Sequence, residues 1–592
     1  MTGGLYRSAH AADGDPPPGD GATLISIDDE PVPGAGAAQD QALPPQDPPA
    51  PSEPGGSDEG SGTTGQSAIM AIGTMVSRLI GFVRNMLIGM TLGAGIGDAY
   101  TSAYFLPSQL YELLLGGILS SVLIPLLVRR RQVEPDRGQA YTQKLLTFAV
   151  VSLGVATALV VLAAPVITLI QSGNAPGDYR DLVTALAYLM LPIIFFTGLS
   201  GLIAAVLNVR GHFAAPMWAP ILNNLVVIAT CGIFIVTFGT AKGLDPADMT
   251  PGRIALIGGG TLLGMITQAA GLLPALRRVG FRWKWWWDPR GLGLGEIGRL
   301  AGWMLCYVTA NQIAVFVVVN LLSRVSGKTG ASVLAFNNVY LLTMMAHGII
   351  GVSVMTALLP KMSAAAAEGR FADVSADLSR GIRLTAAALA PIAVVYGVLG
   401  TPIAVFLFQG GAYLPRTAYA TGDVLAVAAF AVMPLSISYL CTYAFYSLKG
   451  NKTVALINLP VVGLRIAAYL VFFVVLPQSL AAAGMTFGNA LSYVLSALIS
   501  LAVLRRRIGR LDLGSMVAGL AKVLAAALAA ALVGWLIVGL LPGGDTPDRT
   551  EAFVRLAVGG AAIMITYLVA ATMLRVREVG QVVGTVRRKL GR

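Results

Sequence analysis

Arg78 and Arg84 stand inside a long apolar run, where an uncompensated charge is costly. Thr74, Ser77, Arg78, Gly81, Arg84 and Asn85 recur at three- and four-residue steps, so on a helix they share one face. A guanidinium keeps its proton and offers a planar fork of donors that matches phosphate and pyrophosphate oxygens. The stripe therefore reads as an anion-binding face, with Ser77 and Asn85 as neutral groups beside the two cations. The competing reading pairs the arginines with a carboxylate of the protein itself, Asp98 or Glu112. Asp98 follows the glycine-rich turn GAGIG and could also cap the start of the next helix.

The remaining embedded polar groups point to packing more than to chemistry. His347 has no second histidine at a metal-binding spacing, so it reads as a hydrogen-bonded interior residue. Asn311, Gln312, Asn337 and Asn338 read as bonds between helices. Arg465 lies midway along another apolar run, and Lys522 lies close enough to an end to snorkel. Cys231, Cys306 and Cys441 show no CxxC spacing and read as small buried hydrophobes. There is no Walker A loop, no GxSxG, no HExxH and no loop long enough for a catalytic domain. The sequence thus gives no enzyme, no metal site and no cofactor.

The elements that must carry these residues are membrane helices. Of 592 residues, 55% are hydrophobic and 12% charged, against about a quarter charged in a soluble domain. Fourteen apolar segments follow Ser67, near 68–92, 99–128, 144–171, 182–207, 215–238, 254–276, 298–322, 331–359, 381–408, 421–448, 454–476, 480–504, 515–541 and 552–574. Helices are required, because backbone groups facing lipid must be satisfied within their own segment. Arg78 then lies about 15 Å into segment 1 at about 1.5 Å per residue, near the bilayer midplane.

Basic residues orient the chain. Loops after even-numbered segments, with the C-terminal tail, hold 28 Lys and Arg, whereas those after odd-numbered segments hold 8. The positive-inside rule puts both termini in the cytoplasm. The net charge of +11 is thus a topology signal and not a nucleic-acid footprint. Trp283, Trp285, Trp286 and Trp287 read as an interfacial anchor.

Residues 1–65 carry eleven acidic residues, eleven prolines and one arginine, so this tail cannot bury enough apolar surface to order itself. After it the chain repeats weakly. Pro125, Pro165 and Pro192 are echoed by Pro360, Pro402 and Pro434 at offsets of 235, 237 and 242. The expected organisation is a cytoplasmic tail (1–65), two six-helix lobes in the same orientation (66–280 and 290–508), two further helices (513–575) and a basic cytoplasmic tail (576–592). Parallel repeats suit a transporter whose site opens alternately to each side.

The stretch SRLIGFVRNMLIGMTLGAGIGDAY (77–100), followed by LPSQLYELLLGGILSSVLIPLLVRR (106–130), resembles the MurJ (MviN) family of the multidrug/oligosaccharidyl-lipid/polysaccharide exporter superfamily. The second stretch resembles the actinobacterial branch. The resemblance implies an all-α polytopic fold and export of lipid II, the undecaprenyl-pyrophosphate-linked peptidoglycan precursor, across the bacterial cell membrane. It matches the family's cavity arginines to Arg78 and Arg84 and its acidic residue to Asp98. Tyr111, Glu112, Gly116 and Leu341 stand where many relatives carry further charged groups. Arg465 would be a fixed cation where relatives bind a mobile one, and so a candidate for coupling. Segments 13–14 would offer a groove for the polyprenyl tail. A flippase for another polyprenyl-linked glycan, and a non-transporting scaffold that docks cell-wall enzymes through its acidic tail, remain as alternatives.

Overall fold

The computed structural model describes residues 59–113, 124–292, 294–326, 332–448, 450–509, 511–542, 544 and 546–580. The acidic tail up to residue 58, the basic tail from 581 and the middle of segment 2 lie outside these. All regular secondary structure among the described residues is helical. The first half comprises α1 (Glu59–Leu113), α2 (Ile124–Val133), α3 (Gln139–Leu162), α4 (Ala164–Ser172), α5 (Gly177–Met190), α6 (Ile193–Val209), α7 (Ala214–Phe238) and α8 (Pro251–Arg278). The second comprises α9 (Leu294–Ser323), α10 (Val333–Ala367), α11 (Phe371–Phe408), α12 (Pro415–Ser447), α13 (Asn451–Val475) and α14 (Ala481–Ile508), followed by α15 (Leu513–Leu540) and α16 (Arg549–Met573).

Thirteen described stretches are long and apolar enough to cross a membrane. The sequence suggests fourteen, and the one not counted is segment 2, whose middle lies outside the described residues and whose beginning is joined to segment 1 in α1. Its stretch Val76–Ser108 takes in segment 1 and the beginning of segment 2, separated by Gly93, whose φ of 71° is not helical. A side chain there would be strained, and its first carbon would come within 2.7 Å of the Ala412 carbonyl.

The prolines shape the helices where the sequence repeats. Segment 3 breaks at Ala163, two residues before Pro165, and α11 loses helical geometry at Leu399, three residues before Pro402. A proline lacks the amide needed by the preceding turn and crowds its carbonyl, so a break just ahead of it is expected. Segment 4 likewise divides into α5 and α6 at Leu191-Pro192, whereas Pro434 stays inside α12.

Two buried apolar clusters draw on residues 88–292 alone. Others centre on the second half, and the largest joins α9–α14 to α15 and α16 and takes in Phe105 of α1. The α15–α16 turn is locked by Arg555, a buried side chain that donates to the carbonyls of Pro542, Gly544 and Leu541. On α16, Asp548 accepts from the Glu551 amide while Glu551 accepts from the Asp548 amide, a reciprocal cap.

Candidate functional site

The polar stripe of α1 meets α7. Asn224 Nδ2 donates to the Ser77 carbonyl at 3.3 Å, and a first side-chain carbon on Gly81 would lie 3.2 Å from the same nitrogen. The absence of a side chain at 81 lets the amide approach. The side chains of Thr74 and Glu112 lie outside the described residues.

Arg78 and Arg84 go to different surroundings. Arg78 remains exposed, and its guanidinium lies against Gly348 of α10, where any side chain would overlap Nη1. The first half thus presents a cation directly to the second. Next to Gly348, His347 shares a 2.8 Å hydrogen bond with Ser436 and packs on Tyr439 at 4.8 Å. This is the interior histidine expected from the sequence.

Arg84 turns into the first half. Its guanidinium lies 5.7 Å from the centre of the Tyr104 ring, and Nη2 donates to Asn85 at 3.3 Å. Tyr104 stacks on Tyr100, which is held by Thr261 at 3.0 Å. Nε of Arg84 is buried without a hydrogen-bond partner among the described residues. A charged donor left unmet at this depth is poised for an acceptor from outside the protein.

Asp98 is fully buried and sits with neither arginine. It accepts from the Leu334 amide at 2.9 Å and from the Ser326 hydroxyl, both in the second half. Of the roles open to it in the sequence, capping is the nearest, but the helix capped is α10 and not its own. The Leu334 amide is one of the unpaired donors of the α10 start, and a carboxylate is favoured there. Other bonds join the halves at the same end. Ala412 N donates to Met90 O at 2.7 Å, Asn320 Nδ2 to Ile170 O at 2.7 Å, and Ser323 Oγ to Gln171 O at 3.2 Å.

Arg465 lies wholly inside the second half. Nε donates to Ser492 at 3.0 Å, Nη1 to Asn311 at 3.3 Å, and the guanidinium lies 5.2 Å from the Tyr493 ring centre. The bond to Asn311 is one of the interhelical bonds expected of that residue. Sequence reading misses Asn224, Gly348 and Tyr104, which are neutral; only the partner each meets gives it a role.

The fold is that of a multi-helix transporter. The structure is similar to an inward-facing MATE family transporter of the MOP superfamily, with a TM-score of 0.60 at 16% identity over 75% of this chain and 98% of that one. It is more similar to a structure described as lipid II flippase MurJ in an inward closed conformation, with a TM-score of 0.69 at 17% identity, covering 86% of this chain and 99% of that one. The family profile described as lipid II flippase MurJ matches residues 88–544. A probable lipid II flippase MurJ of Rhizobium meliloti is 26% identical over 84% of this chain and 91% of its own length. The lipid II flippase MurJ of Burkholderia cenocepacia is 26% identical over 73% and 82%. The chain belongs to the lipid II flippase MurJ family.

Proposed function

We propose that this protein moves lipid II from the inner to the outer leaflet of the bacterial cell membrane, with Arg78 and Arg84 holding the pyrophosphate. The observation that carries the arrangement is the position of the two cations. Arg78 faces α10 across the junction of the halves, and Arg84, six residues on, keeps a buried donor unmet. A pyrophosphate offers several acceptor oxygens and enough negative charge to answer both guanidinium forks. Ser77 and Asn85 lie on the same stripe as neutral partners.

Alternating access follows from the placement of the clasp. Asp98 and the Met90–Ala412 bond tie the halves together at the ends of odd-numbered segments, which the basic-loop bias places outside the cell. In this state the arginines serve the cytoplasmic side. Neutralising them with substrate lets the lobes approach there, and release of the clasp opens the outer side. Both termini are cytoplasmic in this scheme, α15 and α16 receive the polyprenyl tail, and the acidic tail (1–65) contacts cell-wall synthesis proteins.

The test is translocation of lipid II in proteoliposomes, with membrane insertion as control. Arg78→Ala and Arg84→Ala each abolish translocation under this reading, and Arg→Lys keeps part of it, because charge survives without the fork. Full activity in both alanine variants sinks the proposed site.

A further inference from the structure

The mechanism above makes no use of Arg465. Arg465 is about 21 Å along α13 from Asn451, at about 1.5 Å per residue, and it lines a cavity of about 310 Å³ inside the second half. That space has room for roughly ten waters at about 30 Å³ each. The walls come from α9, α10, α12, α13 and α14, so the cavity belongs mainly to this bundle, with Phe105 the one contributor from the first half among the described residues.

Among the described residues no Asp or Glu lines the cavity. Arg465 meets the neutral oxygens of Ser492 and Asn311 and the face of Tyr493. Hydrogen bonds to neutral groups orient a guanidinium without cancelling its charge. A lone charge in a low-dielectric interior is costly unless a counter-charge comes close. None comes from the described lining of this cavity.

An approach route exists on the side of the basic loops. Tyr446 and Val454, at the ends of α12 and α13, line the same cavity as Arg465, Tyr469 and Asn489 deeper in. Beside that end, Arg507 donates to Thr453 and Lys452 lies over Trp303. Cations at the entrance raise the local concentration of anions.

We propose that this cavity is a second anion site, which takes one small inorganic anion of the size of chloride on Arg465. The site is separate from the Arg78–Arg84 pair and does not depend on lipid II. Asn311 and Ser492 act as positioning residues that aim the guanidinium, and the cavity leaves no place for the large head of a glycolipid.

The experiment is binding of radioactive chloride to the purified full-length chain without lipid II, at constant ionic strength with gluconate as the replacing anion. The expected result is saturable binding of one chloride per chain, displaced by bromide and at least tenfold weaker in Arg465→Gln. The Arg78→Ala/Arg84→Ala double variant should bind as the unaltered chain does. If Arg465→Gln does not fold, Asn311→Ala/Ser492→Ala keeps the cation but releases its aim, and should bind several-fold more weakly. Absence of saturable binding overturns the proposal. So does unchanged affinity in whichever of these variants folds, or loss of binding through Arg78 and Arg84 instead.

Discussion

Arg84 in the first half and Arg465 in the second are built alike and held differently. Each lies near a tyrosine ring, at 5.7 and 5.2 Å, and neither has a carboxylate partner among the described residues. Arg465 is braced by two other helices, through Ser492 on α14 and Asn311 on α9. Arg84 donates to its neighbour Asn85, and its Nε has no partner among the described residues. Arg465 therefore has a fixed aim inside one bundle, whereas Arg84 keeps an unspent donor close to the junction of two. The second condition suits a substrate that must be gripped and released. Arg555 marks the other extreme, with three backbone carbonyls taking up its fork. Unmet donors serve binding, and fully met donors serve the fold.

The strongest way to break this comparison is Arg84→Ala. Lipid II translocation should fall at least tenfold, while thermal stability is unchanged or rises, because the variant removes a charge whose burial is incompletely repaid. A fall in stability as large as the fall in activity would make Arg84 a structural residue like Arg555. Arg555→Ala should do the reverse, losing about 2 kcal/mol by removing charge-assisted bonds to three backbone carbonyls. It should leave translocation per folded molecule near normal, as melting and transport on the same preparation would show.

Asp98 tests the junction itself. Asp98→Ala leaves the Leu334 amide without its acceptor, so hydrogen exchange there should speed up by about tenfold, the size expected for losing a bond to a charged group. Asp98→Asn retains an acceptor oxygen and should show a smaller change. Unaltered exchange at Leu334 in the alanine variant would mean that Asp98 does not hold the two halves together.

The helices and the embedded arginines were legible in the sequence for the same reason: lipid penalises polarity, so apolar runs and the rare charges within them both stand out. Arg78, Arg84 and Arg465 could be singled out without coordinates. Their surroundings could not. Asp98 meets Ser326 and Leu334 from 228 and 236 residues away, and nothing in its neighbours indicates that it caps a distant helix. Gly348 is one of 69 glycines, and it matters only because Arg78 rests on it. The break at Gly93 was half visible, since a glycine-rich turn is written in the sequence but its fit against Ala412 is not.

The smallest effect belongs to an ion pair in the loop after α8, outside the membrane. Lys144 Nζ lies 2.7 Å from Asp288 and 4.7 Å from the Trp286 ring centre, so one ammonium ties the tryptophan loop to the foot of α3. Its hydrogen bond to Asp288, aided by the Gly291 amide, holds the carboxyl below its ordinary value. The sign of the linkage follows from that direction. A depressed folded pKa stabilises fully above the ordinary carboxylate range, and the contribution is lost as pH falls through the lowered value. Both side chains are partly open to solvent, which screens the pair, so the contribution is small. Lys144→Met should accordingly leave translocation unchanged and shift tryptophan fluorescence only slightly at neutral pH. In the unaltered chain the same shift should develop as the medium is taken below about pH 4, the ordinary range of an aspartate. A shift that develops instead between pH 6 and 8 would assign the anchoring of Trp286 to another group. Arg84 would then remain the informative cation of the first half, and the loop would be held by other ties, such as the hydrogen bonds of Trp283 Nε1 and the Trp286 amide to the Thr147 hydroxyl.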